Sequence, residues 1–369
     1  MSKIKNFILF GIMALLAYSC LNKKEKKNIE QVFSIHIESK NILMRTKLSD
    51  FVSYCKYLPL ETNSECLIGQ LNKVDFFEND IFVLDTRSAR SVYRFSSEGK
   101  FLNQIASRGR GPGEYFDPSD ISIKSNTAEI TILDRDNIQV LFYKPENTYL
   151  RSIKIPVYAY KLAWYDNDKM AVYSDKNEDL VLLDEKGIQI GAFFKNGYVK
   201  KMVMNYPFQS YKENLLYLAY MDYTIYKISE NKVTPHVKFV FDKKMYKDKD
   251  IGFLMANQDN NNYLVEIKYY SENSSHIFMV YLYNRSAYMV IYNKLNSKTN
   301  IIDVRGIQND ITFADEPPII MGVTPDDDFV AYFEYVDVSE PNELKKKIGT
   351  PADKLNEMSN PILLFLNFK

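Results

Sequence analysis

The sequence is short of the residues on which most recognisable enzyme sites are built. It has three cysteines, three histidines and one tryptophan in 369 residues. His36, His236 and His276 lie far apart and form no His-x-x-x-His spacing, and no Cys-x-x-Cys pair occurs, so no metal site is expected. A serine nucleophile would need a Gly-x-Ser-x-Gly elbow, and a phosphate loop would need Gly-Lys-Ser/Thr entering a helix. Neither stands out, and no cofactor is expected. Excess charge of one sign is missing too: basic and acidic side chains number 47 each, which leaves no electrostatic case for nucleic acid.

Aromatic side chains, in contrast, are abundant, with 28 tyrosines and 23 phenylalanines, a bias that suits strands. The strands repeat. Ile81–Asp85, Val92–Phe95 and Glu98–Leu102 spell strand, turn, strand, turn, strand, and Ile130–Asp134, Val140–Tyr143 and Glu146–Leu150 repeat the scheme 49 residues later. Weaker copies follow at Met170–Leu183, Leu215–Ile228 and Ile277–Tyr292, and a sixth joins Phe329–Phe333 to Ile362–Leu366. A period of forty to fifty residues with several strands in each predicts a six-bladed β-propeller. A β-sandwich or open meander is the alternative. Closure of the ring needs an N-terminal strand, either Val32–Ile37 or Tyr54–Leu60, beside Pro361–Phe368. Asp242–Asn262 is polar and reads as a loop between the fourth and fifth blades. Glu340–Ser359 is expected to hold a short helical insertion.

Tyr57-Leu58-Pro59-Leu60-Glu61-Thr62, Leu67-Ile68-Gly69, Ile81–Asp85, Gly109-Arg110-Gly111-Pro112-Gly113-Glu114-Tyr115 and Asn360–Phe365 together resemble the six-bladed β-propeller lipoproteins of Bacteroidetes. The Gly-Pro-Gly-Glu-Tyr loop is the specific part. The resemblance runs from about Tyr57 to the C-terminus and implies a fold related to NHL and TolB-like propellers and an envelope location. It implies no catalytic residues. Lyases related to NHL propellers hold a metal with several histidines, a pattern from which this chain departs.

The first residues read as a lipoprotein signal. Lys3 and Lys5 precede an apolar run from Phe7 to Ala17 that is too short to span a bilayer, and Ala17-Tyr18-Ser19-Cys20 resembles a lipobox. Residues 1–19 are then a signal peptide and Cys20 the lipidated residue. Residues 20–30 form a charged tether, and 31–369 a single propeller domain. Two or more acyl chains hold a protein on a membrane, which is the first expected partner. The tether is basic where surface-exported lipoproteins carry an acidic run, which favours the periplasmic side of the outer membrane over surface display. Cys55 and Cys66 either bridge in that oxidising compartment or remain separate thiols.

The candidate ligand site is the loop itself: Arg108, Gly109, Arg110, Gly111, Gly113, Glu114 and Tyr115. Successive backbone N–H groups in glycine turns form anion cradles, and two guanidinium groups add bidentate recognition. The competing role is structural, with an arginine paired to Glu114 or Asp117 so that the loop locks the first blade to the second. Asp85 and Asp134 end equivalent strands and would supply a glycosidase pair, although such residues usually cap their own turns. Asp134-Arg135-Asp136-Asn137 lacks the glycine and glutamate of a calcium loop. Tyr206-Pro207-Phe208, Tyr217, Tyr220, Tyr223, Tyr269, Tyr270 and Trp164 are candidates for a sugar- or peptide-binding mouth. The sequence therefore points to a lipid-anchored, non-catalytic binding or interaction module for a carbohydrate, peptide or envelope protein. The alternative is a propeller enzyme, either a carboxylate glycoside hydrolase or a metal-dependent lyase.

Overall fold

The computed structural model describes residues 32–174, 178–195, 204–220, 222–242, 266–349 and 354–369. The expected signal peptide, Cys20, the tether and most of the Asp242–Asn262 loop lie outside these residues. The chain divides into two compact units, Met1–Phe33 and Ser34–Lys369, and only Val32 and Phe33 of the first are described.

Short apolar runs flanked by turn formers fold into antiparallel sheets, with four strands in chain order in each of blades 1 to 5. Blade 1 comprises Lys73–Phe77, Asp80–Asp85, Ser91–Ser96 and Phe101–Ile105. Blade 2 follows as Pro118–Lys124, Glu129–Asp134, Gln139–Tyr143 and Tyr149–Lys154. Blade 3 takes Ala159–Tyr165, Lys169–Ser174, Glu178–Asp184 and Gln189–Lys195. Phe208–Tyr211, Asn214–Leu218, Thr224–Ser229 and Lys232–Phe241 make blade 4. Glu266–Glu272, His276–Tyr283, Ser286–Asn293 and Thr299–Asp303 make blade 5. Blade 6 draws on both ends of the chain: Ile319–Val323, Phe329–Phe333 and Ile362–Phe368 are completed by Val52–Pro59.

A sheet apolar on both faces must be covered on both faces, and a ring of sheets achieves this without a second layer. Six apolar clusters result, one at each junction. Phe82, Ile105, Ile121 and Leu141 fill the gap between blades 1 and 2. Leu58, Phe95, Val330 and Leu363 fill the one between blades 6 and 1, so the ring is closed. Closure is an antiparallel ladder with Leu363 opposite Leu58 and Leu366 opposite Cys55. Of the two expected closing strands, Tyr54–Leu60 is therefore the one used. Phe33–Ile37 instead lies beside Lys232–Phe241 as a fifth strand of blade 4, burying Ile35 and Ile37 in the core between blades 4 and 5. Ile42–Leu43 then pairs in parallel with the outer strand of blade 5. The N-terminal segment thus covers exposed sheet edges before closing the ring.

The expected insertion is present as a helix over Pro341–Ile348, with proline in its first turn and Leu344 buried. Among the described residues no helix is long and apolar enough to cross a membrane. The first strand of each blade lies innermost, against the first strands of its neighbours.

Candidate functional site

The Ser107–Asp117 loop carries the chain from the outermost strand of blade 1 to the innermost strand of blade 2, as a connector between two sheets should. Its shape is fixed from within. Tyr115 N donates to Ser107 O at 3.1 Å, Gly109 N to Tyr115 O at 2.9 Å, and Glu114 N to Gly111 O at 3.0 Å. Gly113 adopts φ 80, a conformation that glycine tolerates without a Cβ penalty, and Tyr143 OH donates to its carbonyl. Tyr115 is wholly buried, and burial pushes its phenol up to about 12.

The loop turns its own carboxylate onto a backbone donor that was expected to meet an anion. Gly111 N donates to Glu114 Oε2 at 2.6 Å, and a Cβ on Gly109 would collide with the same carboxylate. Arg108 and Arg110 face solvent over the ring of Phe116, 5.5 and 5.7 Å from its centroid. Asp117 pairs with Arg135, not with either loop arginine. Asp134 accepts from Phe116 N at 3.2 Å and Asp117 N at 3.0 Å, tying the loop to blade 2.

Beyond the loop the chain reaches the axis, where a cluster of ionisable groups appears that the sequence did not reveal. Six innermost strands each present an unpaired edge, and buried backbone groups there need partners. Lys73, the first residue of blade 1, reaches across blade 2. Its Nζ donates to Ile121 O and, at 3.4 Å, to Leu162 O in blade 3, and it pairs with Asp120 Oδ1 at 3.2 Å. Asp120 Oδ2 accepts from Leu162 N at 2.8 Å, and Ser122 Oγ accepts from Trp164 N at 3.3 Å. Blades 1, 2 and 3 are stitched together at the axis by these bonds. Lys161 Nζ stands 4.0 Å from Asp120 Oδ1. Burial holds its pKa below the usual lysine range, against the attraction of Asp120, and burial lifts that of Asp75 against the pull of Lys73.

The other half of the axis is aromatic. Tyr206 precedes the inner strand of blade 4 and Tyr269 lies in that of blade 5, their rings 5.7 Å apart and inclined at 41°. Tyr332 faces Ile319 at the start of the inner strand of blade 6. Burial raises all three phenols. The charge of Asp120 adds to the rise at Tyr206, and that of Glu334 to the rise at Tyr332. Glu334, just beyond, is pushed up to about 7 by burial and then by Asp337. Lys73, Asp120, Lys161, Tyr206, Tyr332 and Glu334 all lie at the end of the axis where the inner strands begin. The Ser107–Asp117 loop delivers the chain to that same end. At this end of the axis Lys73, Asp120 and Lys161 come from blades 1–3, and Tyr206, Tyr269 and Tyr332, with Glu334, from blades 4–6.

The remaining candidates are placed elsewhere. His36 is exposed on the added outer strand of blade 4. His236 lies 2.8 Å from Glu272 across the junction of blades 4 and 5, and the buried His276 contacts the Lys369 carbonyl at 3.1 Å. Among the described residues no three His, Cys, Asp or Glu side chains are grouped to hold a metal. Asp85 is a cap: it accepts from Gly69, Gln70, Arg87, Ser88 and Ala89 N–H groups at 2.8–3.1 Å. Asp134, with its loop bonds and those from Asn137 and Gln139, is another. Cys55 and Cys66 are free thiols. Cys55 packs toward blade 5 and Cys66 toward blade 1, on opposite faces of the blade 6 sheet, so no bridge forms. Of the aromatics expected at a mouth, Tyr217, Tyr223, Tyr270 and Trp164 are buried between blades, whereas Tyr206, Phe208, Tyr220 and Tyr269 are half-buried, and Tyr206 and Tyr269 pack on each other. A lysine inside the apolar run Ala159-Tyr160-Lys161-Leu162-Ala163-Trp164 was the available signal for the charged half.

A closed ring of six antiparallel sheets defines a six-bladed β-propeller. Within that class the chain belongs to DUF4934, a domain of unknown function whose family signature matches residues 32–367. Its fold is similar to that of a Bacteroides fragilis protein classed as exported, at TM-score 0.75 and 20% identity, covering 92% of this chain and 99% of that one. A member of the DUF4221 family from Bacteroides vulgatus superposes at TM-score 0.53 and 9% identity, covering 86% and 97%. No curated protein matches the chain.

Proposed function

We propose that the protein is a lipid-anchored binding module of the cell envelope, non-catalytic, whose ligand enters an axial mouth at the end where the inner strands begin. The observation that carries this reading is the meeting at that end of Lys73, Asp120 and Lys161 with the phenols of Tyr206, Tyr269 and Tyr332. Flat phenol faces with polar tips suit a sugar ring or a peptide side chain, and charged groups opposite fix its orientation. The arginine loop stands at the same end. Its Gly111 N–H is taken by Glu114, so Arg108 and Arg110 would act at the rim, on a part of the ligand that projects outward.

Anchoring through Cys20, with the propeller facing the periplasm, rests on the lipobox and the basic tether. The exported classification of the Bacteroides fragilis protein is consistent with it. Kinship with NHL and TolB-like propellers rests on the motif resemblance. Saturation-transfer NMR on the full-length protein in micelles, against monosaccharides, oligosaccharides and short peptides, tests the binding claim. Transfer to at least one class that weakens in Tyr269→Ala supports it, and transfer that Tyr269→Ala leaves unchanged contradicts it. Palmitate labelling that survives Cys20→Ala would contradict the anchor.

A further inference from the structure

We infer that the axial mouth takes a ring-shaped ligand bearing a carboxylate, a uronic acid being the simplest, and that Lys161 is the cation that reads the acid. This rests on the reading of the mouth as the binding site. Lys73 and Lys161 share Asp120 unequally. Lys73 lies 3.2 Å from the carboxylate and also donates to the Ile121 and Leu162 carbonyls. Lys161 stands at 4.0 Å, beyond hydrogen-bonding reach, and among the described residues no acceptor takes any of its three protons. Its side chain is only 12% exposed, so water replaces those acceptors poorly. An ammonium left in that state gains a charge-assisted hydrogen bond from an incoming carboxylate that the protein itself does not supply.

The surroundings narrow the choice of anion. Arg135 is held by Asp117 through one guanidinium nitrogen and lies over the Tyr158 and Tyr160 rings, while its buried Nε has no partner among the described residues and offers a second donor near Lys161. Asp120 beside Lys161 would repel a dianion, and two side-chain donors lack the nest of backbone N–H groups that phosphate sites use. Glu334 lies on the aromatic side with Tyr332, which turns the acid toward blade 3. The ring of the ligand then rests on Tyr206 and Tyr269.

Calorimetric titration of the full-length protein in micelles at pH 7 tests this with D-glucuronate, D-glucose and inorganic phosphate, on wild type, Lys161→Met, Lys161→Arg and Tyr269→Ala. Glucuronate is expected to bind at least ten-fold more tightly than glucose, and phosphate not to bind. Lys161→Met should bring glucuronate down to the level of glucose and leave glucose unchanged. Lys161→Arg should keep the preference, which separates charge from misfolding, and Tyr269→Ala should weaken both sugars. Equal binding of the two sugars, or a preference that survives in Lys161→Met, overturns the inference. If Tyr269→Ala still weakens both sugars in that case, the axial mouth survives as the site. Phosphate binding that Lys161→Met abolishes overturns the carboxylate assignment. No binding of either sugar overturns the inference and, if Tyr269→Ala also leaves the broader NMR panel unchanged, the axial reading with it.

Discussion

Asn360 holds Ile68 across the seam where the two ends of the chain meet. Its Oδ1 accepts from the Ile68 N–H at 2.8 Å, and its Nδ2 donates to Cys66 O at 2.7 Å and Glu61 O at 2.6 Å. The side chain is buried, so none of these bonds can be exchanged freely for water. Two motifs of the family resemblance, Leu67-Ile68-Gly69 and Asn360-Pro361, are thereby the two halves of one clasp. Asn360→Ala strands the Cys66 carbonyl and the Ile68 N–H and leaves Glu61 O with only the weak Cys66 Sγ–H donor at 3.2 Å. The expected loss is about 2–4 kcal/mol in urea unfolding, since each stranded group costs about 1–3 kcal/mol with partial relaxation. A change under about 0.5 kcal/mol would mean the closing ladder alone holds the ring.

The loop separates into a part that shapes it and a part that projects from it. Arg108→Ala and Arg110→Ala remove exposed side chains stacked on Phe116 and should each change stability by less than about 0.5–1 kcal/mol. Gly109→Ala pushes the flexible Glu114 carboxylate off the Gly111 N–H and should cost about 0.5–1.5 kcal/mol, the worth of that hydrogen bond. The same denaturation series reads all three. A larger loss from the arginines than from Gly109→Ala would make them the latch.

Glu334 gives a pH signature. Its folded pKa of about 7 lies above the ordinary value of 4.5, so between those values the folded protein holds a proton that the unfolded chain has released. Stability is therefore expected to fall as pH rises from about 4.5 to 7. Because the carboxyl is partly exposed, screening reduces the effect to about 1–2 kcal/mol. Glu334→Gln should remove this slope and be the more stable protein at pH 8. An unchanged slope in Glu334→Gln would assign the effect to other groups.

Glu272 behaves in the opposite sense. Burial alone would raise its pKa, but hydrogen bonds and charge from His236 and Lys294, at 2.8 and 2.6 Å, hold it below the ordinary value. Its contribution is full above about pH 4.5 and is lost as pH falls through the lowered folded value. Glu272→Gln removes the charge partner of Lys294, which is partly exposed and keeps its bonds to Tyr211 OH and Asn273 O, and a loss of about 1–3 kcal/mol at pH 7 is expected. Denaturation at pH 7 and pH 3 checks it, with the gap between mutant and wild type narrowing at the lower pH.

What was legible in the sequence, and what was not, has one physical cause. The second and third strands of each blade are buried on both faces, so Ile81–Asp85 and Ile130–Asp134 read as continuous apolar runs at an unmistakable spacing. The innermost strands face the axis with an open edge, and their polar side chains satisfy it. Pro118–Lys124 is buried along its whole length yet contains Pro, two Ser, Asp and Lys. Its Asp120–Ile123 part still reads as a strand, but nothing in that spelling places Asp120 beside Lys73 and Lys161 of the neighbouring inner strands. The loop was legible because three glycines and a proline leave few conformations, but nothing in its spelling told that Glu114 would turn onto the loop's own Gly111 N–H. Cys55 and Cys66 were ambiguous because the face a strand residue occupies depends on register, which only the closing ladder fixes.

The most direct test of the axial mouth is a crystallographic fragment screen, in which crystals are soaked with small sugars, amino acids and aromatic fragments and the bound positions are read from density. Hits are expected to gather between Tyr206, Tyr269 and Lys161, with acidic fragments turned toward Lys161. Hits gathered instead between the outer strands of blades 4 and 5, with the axial mouth empty and open to solvent, would contradict it.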